Sequence, residues 1–127
     1  MAVNLIFYIG LGGIAGTLSR YFVQAWLQRP AAGSFPVGTL AINVAGSFVL
    51  GFVMRFATGS VVIAPETRGA LTIGFCGAFT TMSTFSYETV ALLSDGEYWR
   101  AGLYGGGTIV GCLIATAVGI ALAGKML

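Results

Sequence analysis

The chain has 127 residues, 57% of them hydrophobic and 8% charged, with a net charge of +2 and a mean hydropathy of +0.91. Soluble domains carry about 25% charged residues, so six basic and four acidic side chains cannot cover a water-soluble surface, and most small soluble enzymes are excluded. The scattered basic residues make no nucleic-acid patch, and without histidine there is no zinc-type cluster.

A helix crossing the bilayer needs roughly 20 apolar residues, and the long apolar runs divide the chain into four such spans within one transmembrane domain, 1–127. Span one covers about 5–27; no charged leader or cleavage pattern accompanies it, so it is expected to be retained. It contains Arg20 and the pair Gly12-x-x-x-Gly16, whose small residues on one face let backbones approach closely. A loop over 28–36 follows, marked by Arg29, Pro30, Gly33 and Pro36. Span two, about 37–56, carries Thr39, Asn43, Ser47 and Gly51 at steps of four, which form one stripe. After a loop over 57–65, span three covers about 67–93 and is interrupted by Gly-Phe-Cys-Gly-Ala-Phe-Thr-Thr-Met-Ser-Thr-Phe-Ser, Gly74 to Ser86. Residues 94–98 form the last loop. Span four, about 99–125, carries Tyr104, Thr108, Cys112 and Thr116 as a second stripe, and the pair Gly107-x-x-x-Gly111.

Polar side chains in lipid face a partner or a pathway. Each stripe alone is consistent with interhelical glue at about 0.6 kcal/mol per hydrogen bond. Two stripes beside the interruption in span three favour a pathway. Gly74 and Gly77 weaken the helix there, and the hydroxyls of Thr80, Thr81, Ser83, Thr84 and Ser86 compete for backbone hydrogen bonds. Either the helix breaks and frees carbonyls for protein or ion, or it kinks with its hydroxyls bonded back to its own carbonyls. Glu88 and Arg20 assemble no acid–base or nucleophile pair, so passage of a solute is expected rather than chemistry. Cys76 and Cys112 read as small buried residues.

With four spans both termini share a side, which collects Arg55, Arg68 and Lys125, against Arg29, Arg100 and the nearby Arg20 on the other. Lys/Arg bias sets orientation, and this tally is flat. Either another feature decides, or the protein inserts both ways and two copies pair antiparallel.

Three motifs carry a family resemblance across all four spans: Gly-x-x-x-x-x-x-Arg-Tyr (Gly13 to Tyr21), Gly-Thr-Leu-x-x-Asn-x-x-Gly-Ser-Phe (Gly38 to Phe48) and the interruption itself. The chain resembles the Fluc/CrcB family of fluoride channels. The resemblance implies an all-α membrane protein with the third helix broken at mid-membrane. It further implies an antiparallel, dual-topology homodimer with two fluoride pores in a bacterial plasma membrane. On the family pattern a central sodium ion is held by backbone carbonyls at Gly77 and Thr80. Asn43 matches the pore asparagine, Phe85 one of two pore phenylalanines, and Ser83 and Thr84 the hydroxyls beside them. Tyr104 and Thr108 match the polar track of the fourth helix, Arg20 the arginine of the first, and Glu88 an acidic position of the third. Met82 departs from the pattern by standing at the other pore phenylalanine, and Cys112 where a hydroxyl is frequent.

The chemistry suits a small, strongly hydrated anion. Asn43 offers two N–H donors and each hydroxyl one; a phenylalanine edge is partially positive; several weak donors in series pass an ion without trapping it. Two other readings compete. A small multidrug-type proton-coupled transporter needs an acid in its first helix, which this chain lacks. A non-transporting membrane subunit uses the stripes as glue alone.

Overall fold

The computed structural model describes residues 2–28, 33–59 and 63–127; Arg29 and Pro30 of the first loop lie outside the described residues. Among these residues three helices are long and apolar enough to cross a membrane: α1 (Ala2–Leu27), α2 (Val37–Ala57) and α6 (Tyr98–Lys125). The remaining stretch is a helix in two halves. The first half runs through α3 (Pro65–Gly69), a π-helical segment (Ala70–Cys76) and α4 (Gly77–Phe79); the second is α5 (Met82–Ser94). At about 1.5 Å per residue each half is roughly 20 Å long, short of the roughly 30 Å hydrocarbon core. The two in series have the length of a crossing. The chain is therefore all-helical among the described residues, and the interrupted helix, third in chain order, completes the expected four.

Side chains are distributed as a lipid solvent demands. Thr39, Asn43, Thr81 and Thr108 are buried, while Phe7, Leu11, Ile14, Leu113 and Ile114 are exposed. Lipid offers polar atoms no hydrogen bonds, so they turn to protein, and large apolar groups lose nothing by facing out.

Glycine decides how the helices meet. A methyl group built on Gly12 would collide with the Ala70 carbonyl, and one on Gly16 with the Phe75 carbonyl. Gly74 returns the contact, its missing side chain occupied by the Ile9 carbonyl. The Gly12/Gly16 face is thus the seat of the π-helical segment. The Gly107/Gly111 pair has no such seam within the chain: Gly107 meets no atom within 4 Å, and Gly111 only the Val44 side chain at 3.2 Å. Span four instead approaches α2 through Gly119, which lies on the Phe48 and Phe52 backbones, opposite Gly51 on the Thr116 backbone. This α2–α6 contact is the most extensive in the fold, and the Thr116 hydroxyl donates across it to the Ser47 carbonyl at 3.3 Å. This hydrogen bond ties the two polar stripes together at Ser47 and Thr116.

The turn between α5 and α6 uses Gly96 at φ +76°. Its N–H bonds the Leu93 carbonyl and that of Glu97 the Leu92 carbonyl, the paired closure that a left-handed glycine permits after a helix.

These seams separate two substitutions of the same chemistry. Gly119→Ala is expected to destabilise the folded protein by about 1–3 kcal/mol through overpacking, and Gly107→Ala to stay within about 0.5 kcal/mol of the parent. Denaturant titration in detergent micelles measures both.

Candidate functional site

The site is built around the interruption at Thr80 and Thr81. Both are extended, at φ −84°, ψ 157° and φ −151°, ψ 109°, so the helix breaks rather than kinks. The first half closes on Thr80, whose N–H and hydroxyl both donate to the Cys76 carbonyl, at 3.0 Å and 2.9 Å. The second half opens on Thr81 as N-cap, its Oγ1 accepting from the Thr84 N–H at 3.2 Å. A hydroxyl residue in the β region just before a helix is the preferred cap, which is why a run of threonines and serines starts a helix here. Back-bonding occurs beside the break: Thr72, Ser86 and Thr89 donate to the carbonyls four residues earlier.

Asn43 on α2 supports the break from the side. Its Oδ1 accepts the Thr81 N–H at 2.8 Å, and its Nδ2 donates to the Thr81 carbonyl at 3.2 Å. The side-chain amide thus replaces both ladder partners of one backbone residue. Carbonyls at the end of the first half lose their ladder donors in exchange, those of Gly77 and Thr80 among them. The helical donor to Gly77 would be the Thr81 N–H, which Asn43 takes; the donor to Thr80 would be the Thr84 N–H, which the Thr81 hydroxyl takes.

Beside this clamp lies an open groove of about 490 Å3, lined by α2, both halves of the broken helix and α6. It brings together Asn43, Ser47, Gly77, Thr80, Thr81, Met82, Phe85, Thr108 and Thr116 among the residues singled out from sequence, and no charged side chain lines it among the described residues. Met82, 70% exposed, stands at its rim. Cys76 and Cys112, both free thiols, line it as well. Thr108 is 5% exposed, and its Oγ1 has no hydrogen-bond partner among the described residues. That hydroxyl is unlike those of Thr72, Thr80 and Thr89, which bond back into their own helices. Asn43 has a second N–H beyond the one given to Thr81, so the groove holds more donors than the protein satisfies.

Glu88 and Tyr104 form a second cluster. Tyr104, fully buried, donates its O–H to Glu88 Oε2 at 2.7 Å, and Thr39 donates to Oε1 at 3.0 Å. Gln24 of α1 reaches the Thr39 hydroxyl at 3.5 Å. Phe85 joins groove and cluster, its ring centroid 5.2 Å from that of Tyr104. Ser83 and Thr84 are held by the Thr81 hydroxyl, at 3.4 Å and 2.9 Å, and lie outside the groove lining. Arg20 stands apart, half-buried on α1; among the described residues Arg100 and Glu97 form an ion pair at 3.6 Å.

Sequence reasoning missed Thr81 as the centre of the site. Its signal was the cap pattern Thr81-x-x-Thr84 directly after a helix-breaking run. Gln24 carried none, since only the fold sets it beside Thr39.

An all-helical bundle with a broken helix and a donor-rich, uncharged groove defines a polytopic membrane protein of the pathway-forming kind. The family model described as "CrcB-like protein, Camphor Resistance (CrcB)" matches residues 7–120, and the chain belongs to that family. It is 42% identical over 121 residues to a protein of Geotalea daltonii named "Fluoride-specific ion channel FluC", covering 95% of this chain and 98% of that one. A protein of the same name from Citrifermentans bemidjiense is 45% identical over 116 residues, with 91% and 94% covered. One from Chlorobium chlorochromatii is 44% identical over 115 residues, with 91% and 88% covered.

Removing the clamp leaves the Thr81 N–H and carbonyl buried without partners. Asn43→Ala is expected to cost about 1–3 kcal/mol for each group left unsatisfied, read as a lowered unfolding midpoint in detergent.

Proposed function

We propose that this chain is a passive, selective fluoride channel and not an enzyme, and that fluoride crosses along the groove between α2, α5 and α6. The observation that carries the reading is the buried Thr108 hydroxyl without a partner, in an uncharged groove shared with Asn43 and Phe85. The relatives' names supply the identity of the ion. An anion stripped of water needs donors; Thr108 supplies one, the second Asn43 N–H another, and a phenylalanine edge a weaker positive surface. With no lysine or arginine in the lining, none of these holds the ion tightly, which conduction requires.

The Glu88 cluster sits beyond Phe85, with both carboxylate oxygens accepting from neutral hydroxyls. Fluoride passing Tyr104 competes with Glu88 for that O–H. Met82 replaces one of the two ring stations implied by the family pattern, with a flexible, polarisable thioether, so in this chain Phe85 is the ring station that remains.

Two copies inserted antiparallel complete the channel, with two pathways per dimer. The flat Lys/Arg tally supports this: Arg55, Arg68 and Lys125 against Arg20, Arg29 and Arg100. The released Gly77 and Thr80 carbonyls fit a sodium ion, because neutral carbonyl oxygens at broken helices are the donor set that membrane proteins offer it. A bound sodium supplies fixed positive charge at the centre. In the bacterial plasma membrane, a negative interior drives fluoride outward with about 2.3 kcal/mol per charge per 100 mV.

Liposomes holding only this protein test the function. Fast fluoride efflux with negligible chloride efflux is expected. Asn43→Asp and Phe85→Ile should each slow it tenfold or more, the effect of about 1.4 kcal/mol on the barrier. Efflux of neither anion supports a non-transporting subunit, and proton-coupled uptake of aromatic cations a multidrug-type transporter.

A further inference from the structure

Gly46 lies on α2 three residues after Asn43, on the same helix face. A methyl group built there would collide with Thr80 Cγ2 and lie 3.3 Å from Phe79 Cδ1. Thr80 cannot swing that methyl aside freely. A β-branched side chain is stiff at χ1, and rotation breaks the 2.9 Å bond from its hydroxyl to the Cys76 carbonyl. The remaining relief is to displace residue 80 itself, and its carbonyl with it. Positions 43 and 46 therefore hold the two consecutive residues of the break by different means. Asn43 grips Thr81 through two hydrogen bonds, and Gly46 admits the Thr80 side chain by having none.

We propose that Gly46 is a positioning residue for the cation half-site: the empty space at Gly46, filled by the Thr80 methyl, sets the direction of the Thr80 carbonyl. This deepens the sodium reading above and rests on it. It also makes a reciprocal demand on the sequence. A methyl group is tolerated at residue 80 or at residue 46, but not at both.

The test moves the methyl across the contact. The parent, Gly46→Ala, Thr80→Ser and the double variant are purified in sodium-free N-methylglucamine buffer, and the thermal midpoint of each is followed as sodium is added. A ligand that binds the folded state raises the midpoint with its concentration, so the sodium-dependent increment reports affinity apart from baseline stability. Gly46→Ala should need roughly tenfold more sodium for the same increment, equivalent to about 1.4 kcal/mol. Thr80→Ser keeps the hydroxyl and removes the methyl, so its own sodium requirement is the reference for the double variant. The double variant should lie within about threefold of the sodium requirement of Thr80→Ser alone, about 0.65 kcal/mol on the same scale. A Gly46→Ala protein with the parent's sodium response overturns the proposal, as does a deficit that Thr80→Ser fails to repair. A parent with no sodium response overturns the cation reading itself, and the proposal with it.

Discussion

A membrane interior supplies no water to a broken backbone, so a helix that stops in lipid must have its loose N–H and C=O groups met by protein. Here one side-chain amide does that. Asn43 receives the Thr81 N–H and returns a hydrogen bond to the Thr81 carbonyl, giving the residue the same two bonds that a helix would. Without this exchange the extended geometry at Thr80 and Thr81 would leave a donor and an acceptor orphaned, each costing about 1–3 kcal/mol. The groove, the Gly77 and Thr80 carbonyls that lack their helical donors, and the capped start of α5 all depend on the break that Asn43 makes tolerable.

The clamp needs α2 close to the break, and that closeness is a matter of glycine. The α2–α6 pair is drawn together at Gly51 and Gly119, and α1 rests on the π-helical segment at Gly12, Gly16 and Gly74. Each of these puts one backbone against another, where lipid-like side chains would otherwise hold the axes apart. The π-helical geometry of Ala70–Cys76 occurs along this seam, next to the break, in keeping with the habit of such segments to sit beside functional sites. Close packing on one side and a hydrogen-bonded clamp on the other leave the uncharged groove between them.

Much of this was legible in the residues. Apolar run lengths separate three continuous helices from an interrupted one, because bilayer thickness fixes how many apolar residues a crossing needs. The polar stripes point to Asn43 and Thr108, since hydroxyl and amide groups in lipid are there for a partner. What the stripes do not say is which partner: Ser47 and Thr116 meet each other across α2 and α6, Thr39 turns to Glu88, and Thr108 meets none. Spacing is the same for all four, and Ser47 and Thr116 line the groove as Thr108 does, so only the packed structure shows which hydroxyl is left without a partner among the described residues. The glycine pairs fail for a similar reason. Gly12/Gly16 and Gly107/Gly111 are identical patterns, and the difference lies in whether another backbone arrives opposite. Thr81 was hidden as one of five hydroxyl residues in the run from Thr80 to Ser86, whose roles diverge once the chain breaks.

The clamp joins residues 38 positions apart, with the supporting helix first in the chain, and this has a consequence for biogenesis. Neither half of the broken helix is long enough to cross the hydrocarbon core alone, and together they bring an unpaired peptide group into it. Synthesis proceeds from the N-terminus, so Asn43 emerges from the ribosome before Thr81. The order of the helices along the gene thus matches the order in which their backbone debts can be settled: a circular permutation that put the interrupted segment ahead of α2 would ask the insertion machinery to accept a gap with nothing yet there to close it.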